Sequence, residues 1–278
     1  MLGRKDYFDY LWNERVGIEV EKRIGSNSYV SAGVNDERHE SLERSTRDWW
    51  NINEEQRENP SVDPGKLRSV VFSLDHGKVY PPWSVLAHRR LHAGVEYSID
   101  AFGSDFSFTR YWLALDWHVP TLLKRRSPPH AFDLRIIAGT ATGDLPLQRY
   151  GTLDSGVGGF TPFGTFRSLR GLPYEGERYL GVFWEQYLRA IPFELLGLHS
   201  LARRGMGLIA HGASGRTWIS RDETQNEGFV PHAPSSFHHE LGVSLILFYW
   251  GRVDFTRRLD QADWSVGVSV ARIEFFTD

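Results

Sequence analysis

The sequence predicts an all-β protein, an antiparallel transmembrane β-barrel with about eleven or twelve strands visible. Three observations carry that expectation. Apolar and polar residues alternate with a period of two along most of the chain, and no 3.6-residue period persists beyond a couple of turns. The alternation sorts Leu, Val, Tyr and Trp onto one face and His, Asp, Glu and Arg onto the other. Charges facing a dry sandwich core would be expensive unless paired, whereas a watery lumen hydrates them. The long connections 43–65, 144–177 and 217–237 all fall at even-numbered joins between strands. They therefore lie on one side, as in bacterial barrels with short turns at one rim and long loops at the other.

Composition agrees without deciding. Aromatics make up 14% of 278 residues, with 10 Trp, 27 Gly and 2 Met. Amphipathic rings suit the headgroup level of a membrane, though a soluble β-sandwich would show the same numbers. The net charge of −3 gives no footprint for nucleic acid or a polybasic membrane patch. The absence of cysteine removes disulfide and Cys–metal readings. No window approaches the roughly 18 apolar residues of a membrane helix. The charged opening, residues 1–15, lacks the apolar run of a signal peptide. For an outer-membrane protein, the expectation is therefore that Met1 is not the natural start, or that the chain is a piece of something longer.

In order, the first strand spans 15–24, with Val16, Ile18, Val20 and Ile24 opposed to Arg15, Glu19, Glu21 and Arg23. Gly25-Ser26-Asn27 is a tight turn into a second strand near 28–41. Strands near 66–78, 89–101, 105–119 and 131–143 follow; in the fourth, Leu91, Ala93, Val95 and Tyr97 oppose His92, Gly94, Glu96 and Ser98. After the segment 144–177, five more strands are expected near 178–191, 202–214, 239–250, 252–259 and 264–276. The chain is organised around 158–185, a Gly-rich apolar-aromatic loop leading into a strand with Glu185 in its middle.

The run Gly143-Asp144-Leu145-Pro146, then Gly158-Gly159, then Leu169-Arg170-Gly171-Leu172, resembles the bacterial surface antigen family. That family comprises outer-membrane assembly factors, two-partner secretion transporters and relatives with periplasmic POTRA repeats. Asp6-Tyr7-Phe8-Asp9-Tyr10, the strand ending in Ile191-Pro192 and the run Gly251-Arg252-Val253-Asp254-Phe255 add to the likeness. The resemblance implies that the sixth extracellular loop folds back into the barrel, with five strands after it. It further implies that Arg170 latches this loop onto the lumen-facing Glu185. Two departures accompany it. The family's aromatic-x-Asp-x-Gly position reads Leu208-Ile209-Ala210-His211-Gly212, so the arginine is expected to rest on Glu185 alone. The last strand runs two residues past the usual closing aromatic. About six strands precede the loop where the family has eleven, so the resemblance implies a C-terminal portion of a sixteen-stranded barrel, without its periplasmic repeats. The expected seam strand contains Val266, Gly267, Val268, Val270, Phe275 and Phe276.

Taken without the family, Arg170 reads as a solvated arginine on a Gly-rich loop. His88, His92, His118, His238 and His239 have no HExxH or comparable ligand spacing, so no metal is expected. His92, Glu96 and Asp100 share a face, but every second residue of a barrel strand faces the lumen. Ser155 and Ser168 lack a Gly-x-Ser-x-Gly elbow, and Gly156-Val157-Gly158-Gly159 lacks the Lys-Ser/Thr of a phosphate loop. Trp49-Trp50 reads either as an interfacial pair or as packing beneath its loop. No catalytic residue and no cofactor is expected. The resemblance implies insertion of proteins into the bacterial outer membrane, or translocation across it. Its implied partners are the lipid bilayer, client or passenger proteins and periplasmic assembly partners, with no nucleic acid. Two alternatives remain at this level: the barrel anchor of a patatin-like lipase whose catalytic domain is absent, and a soluble all-β binding module.

Overall fold

The computed structural model describes residues 11–42, 59, 61–77, 89–122, 130–220, 231–248 and 251–270, with Arg170 described in its backbone only. The expected Trp49-Trp50 pair, His88, Phe275 and Phe276 lie outside the described residues.

Six long strands come first: β1 (Leu11–Ile24), β2 (Ser28–Ser41), β3 (Gly65–Gly77), β4 (Arg89–Ser98), β5 (Phe108–Pro120) and β6 (Ala131–Gly143). The following loop carries four short strands, β7 (Gly151–Leu153), β8 (Ser155–Gly156), β9 (Phe166–Arg170) and β10 (Tyr174–Gly176). Five long strands complete the order: β11 (Arg178–Arg189), β12 (Gly207–Trp218), β13 (His238–Leu247), β14 (Gly251–Arg258) and β15 (Trp264–Val270). The long strands form one eleven-stranded sheet, β1-β2-β3-β4-β5-β6-β11-β12-β13-β14-β15, in which every neighbour is antiparallel. The expected six strands before the loop and five after it are present. Among the described residues the sheet is not closed: β1 and β15 stand at its two ends.

Several boundaries move by three to five residues: β1 starts earlier than expected, β5 starts later, and β4 ends at Ser98, before a 3-10 turn over Asp100–Phe102 that takes Asp100 out of the strand. The strand expected from residue 202 begins at Gly207, because two short helices, α1 (Ile191–Leu195) and α2 (His199–Arg203), occupy the preceding connection. Pro192 sits in the first turn of α1, where its missing N–H has no intrahelical partner to lose.

Polarity is inverted relative to a soluble core. Glu96, Asp116, Asp133, Glu185, Glu240 and Asp254 are buried on the inner face, while Phe72, Tyr111, Leu113, Trp117, Val243 and Phe255 are exposed on the outer one. Along β14 the alternation is direct: Arg252, Asp254 and Thr256 point in, and Phe255 points out. Exposed apolar side chains in this quantity belong in lipid rather than water. A soluble module would bury its Leu/Val faces against each other, and this sheet turns them outward.

The inner face is filled by the 144–177 loop. Leu145, Leu147 and Tyr150 pack with Leu67, Phe106 and Phe108 beside β3 and β5. Leu153, Phe163, Phe166, Leu169 and Tyr174 pack with Phe183 and Ala213 on β11 and β12. The loop therefore reaches both halves of the sheet.

Candidate functional site

The loop's deepest part is β9. Antiparallel neighbours bring Glu185 (β11), Glu240 (β13), and Arg252 and Asp254 (β14) to the same inner face, because each sits at the inward parity of its strand. Arg167 inserts among them. Its guanidinium donates to Glu185 Oε1, and its Nε lies 3.7 Å from Asp254 Oδ2. Arg252 donates to the same Glu185 oxygen at 2.8 Å and pairs with Asp254 at 2.9 Å. Arg167, Glu185, Arg252 and Asp254 are each at least 97% buried as side chains. Charged groups this dry persist only when paired and hydrogen-bonded.

Backbone bonds fix the register. Glu240 accepts from the N–H groups of Arg167 and Ser168, both at 2.9 Å, and from the Ser168 hydroxyl at 2.6 Å. Ser168 Oγ also meets His238 Nε2 at 2.9 Å, while the other ring nitrogen of His238 meets Tyr174 OH. From the end strand, the Ser265 hydroxyl donates to the Arg167 carbonyl at 3.1 Å. The loop is thus held by β11, β13, β14 and β15 together.

A second anchor lies at the other end of the loop. Arg149 donates to Glu37 Oε1 on β2 at 2.6 Å and approaches Glu96 Oε1 on β4 at 3.4 Å. Gln148 meets His39 Nδ1 at 2.8 Å and donates to the Asp63 carbonyl at 3.0 Å. The Leu147 N–H donates to the Asp63 carboxylate at 2.9 Å.

The expected latch residues fall in and beside β9. Leu169 is buried in the apolar cluster, Leu172 is exposed, and Gly171 takes φ 91°, a conformation that favours glycine. Glu185 is fully buried at the centre of the site. Its described partners are Arg167 and Arg252; the side chain of Arg170 lies outside the described residues. Arg167, on the same loop, takes Glu185, and Asp254 on β14 supplies it with a second carboxylate. At the position without the family's aspartate, His211 instead bridges Ser244 and Thr256 at 2.9 and 3.0 Å. Sequence reasoning named Arg252 and Asp254 only within the run Gly251–Phe255, with no role at the site, and did not single out Arg167 or Glu240. The signal for Glu240, Arg252 and Asp254 was strand parity, since each of the three strand residues lies on the face shared with other polar side chains.

The seam residues Val266, Val268 and Val270 face outward from β15, and Gly267 faces the loop. At Val268 the loop reaches the strand itself. Val268 donates its N–H to the Gly159 carbonyl at 2.8 Å, and Thr161 donates its N–H to the Val268 carbonyl at 2.9 Å.

The histidines serve as hydrogen-bonding groups. His92 meets Asp75 and Trp112, His118 meets Asp133, and His239 meets Ser214. Among the described residues no group of three His, Asp or Glu side chains could hold a metal ion.

A polar-lined, lipid-faced antiparallel wall with an arginine-anchored inward loop defines the class as a membrane β-barrel. No protein-family model matches the sequence, and no curated protein matches it. Among solved structures the chain is similar to BamA from Haemophilus ducreyi lacking POTRA domains 1–3. The identity is 10%, the match covers 94% of this chain and 53% of that one, and the TM-score is 0.54. It is also similar to CdiB from Acinetobacter baumannii, at 14% identity, 94% and 41% coverage and a TM-score of 0.51. The chain thus spans about half the length of the BamA structure and less of CdiB. At these identities the likeness is one of fold, and the fold is the barrel that the sequence resemblance implied.

Proposed function

We propose that this chain is the C-terminal barrel portion of a bacterial outer-membrane protein that assists insertion of proteins into that membrane or their translocation across it. Its partners on this reading are the lipid bilayer, client or passenger proteins and periplasmic assembly partners. The observation that carries the reading is the loop locked by Arg167 onto Glu185 and Asp254 inside a sheet whose apolar face points outward. A soluble enzyme or binding module needs neither feature. The action is mechanical: the 166–172 tip, including Leu169, Arg170, Gly171 and Leu172, works against Glu185 as a latch. The edge of β15, with Val266, Gly267, Val268 and Val270, forms one side of a seam where an extended client segment pairs with free backbone groups. Further strands upstream would complete the wall between β15 and β1.

The test is reconstitution into liposomes, followed by addition of a urea-unfolded outer-membrane barrel protein. Faster appearance of its protease-resistant form than with empty liposomes is the expected result. A chain that is monomeric and folded in plain buffer, without detergent or lipid, would overturn the reading.

A further inference from the structure

Val268 sits opposite Val253 of β14, a pairing that leaves its own N–H and C=O directed away from β14. Those are the groups that an end strand offers to another chain. Here both are taken by residues 159–161, which bridge Val268 in parallel through Phe160. We propose that residues 159–161 are a built-in, displaceable occupant of the β15 edge, and that the Arg167 latch governs their release. This rests on the seam reading above.

The two devices share atoms. The Thr161 hydroxyl donates to Asp254 Oδ2 at 2.6 Å, and the Thr161 carbonyl accepts from Arg252 Nη2 at 3.2 Å. Asp254 and Arg252 are the residues that also hold Arg167 and Glu185. Withdrawing Arg167 therefore loosens the groups that place Thr161. Shape adds a second control. A Cβ at Gly267 would stand 2.5 Å from the Thr161 hydroxyl oxygen and 2.6 Å from its methyl carbon, so the glycine is what lets the segment lie on the strand. The grip is small: one residue of β15 engages the segment through two backbone bonds, whereas a client strand along all seven residues would make several. A longer competitor wins once the segment lifts.

The sequence contains no cysteine, which makes a trap clean. In detergent micelles, amide hydrogen exchange at Val268 is measured beside Ser269, whose partner Arg252 lies on β14. Val268 is expected to be protected in the parent chain and to exchange at least tenfold faster in Gly267→Val and Arg167→Ala, with Ser269 unchanged. A Phe160→Cys/Val268→Cys pair then locks the segment. The probe is a synthetic peptide copying residues 11–24, an alternating strand of this chain. Gly267→Val should capture it at least tenfold better than the oxidised pair, and reduction of the pair should restore capture to the parent level. Free exchange at Val268 in the folded parent, or equal capture by locked and reduced chains, would overturn the proposal. Failure of the barrel reading shows separately, as folding without detergent.

Discussion

One loop is tied down by two arginines, and the ties are unlike. Arg167 is 3% exposed and its carboxylate partners are sealed, whereas Arg149 keeps 21% of its side chain in contact with solvent. Arg167 shares its carboxylates with the buried Arg252, while Arg149 bridges Glu37 and Glu96, on strands separated by β3, and shares them with the more exposed Arg15 and Arg110. Burial makes the first tie stiff, because removing one partner strands a charge that water cannot reach. At the second tie the guanidinium is within reach of water, although Glu37 beneath it is buried. The difference teaches that the β11–β15 side fixes the loop and the β2–β4 side steadies it.

The largest effect should come from the sealed tie. Arg167→Ala is expected to lower unfolding stability in detergent by about 3–5 kcal/mol, and Arg149→Ala by about 1–3 kcal/mol. Equal losses by denaturant titration would erase the distinction. A sharper version is a pair of double-mutant cycles. Arg167→Ala with Glu185→Ala should couple strongly, and Arg149→Ala with Glu185→Ala should be nearly additive. Additive effects of Arg167→Ala and Glu185→Ala would dismiss the latch.

Ionic strength offers a smaller but more selective lever. Raising salt from 0.05 to 1 M shortens the screening length to about 3 Å. Exchange of the Leu147 amide, bound to Asp63, should rise severalfold, while that of the Arg167 amide, bound to Glu240, should hardly change. Parallel responses would mean that both ties are equally wet.

The weakest effect lies at the β14–β15 turn, where the two-pronged guanidinium of Arg258 holds Asp260 at 2.7–3.0 Å. Those bonds place the Asp260 carboxyl below its usual range. A lowered folded value contributes stability above the unfolded pKa of about 3.9, and that contribution is lost as pH falls through the folded value. Asp260→Asn should cost under about 1 kcal/mol at neutral pH, and the gap to the parent should close in acid. A gap that widens in acid would contradict this sign.

The wall was legible in the sequence because strand parity is written residue by residue. Leu91, Val95 and Tyr97 against Glu96 and Ser98 already separate outside from inside. The five strands after the loop followed from the same rule, and the helices of 190–206 escaped because neither is long enough to show a period. The latch was harder. Arg167 and Arg170 both sit in a Gly-rich stretch, and the contact of the Arg167 guanidinium with Glu185, with the N–H groups of residues 167 and 168 donating to Glu240, is what places Arg167 in the site. Asp254 was visible as a charge on the inner face, but its closeness to the loop depends on sheet curvature. Arg149 gave no local signal, since Glu37 lies 112 residues away.

Among the described residues the eleven strands form an open arc, with β1 and β15 at its two ends. The 144–177 span crosses the hollow and is tied to β2 and β4 at one end and to β11, β13, β14 and β15 at the other, as a string is tied to the limbs of a bow. The two ties thus link the β2–β4 side of the inner face to the β11–β15 side, joining strands that no ladder joins directly.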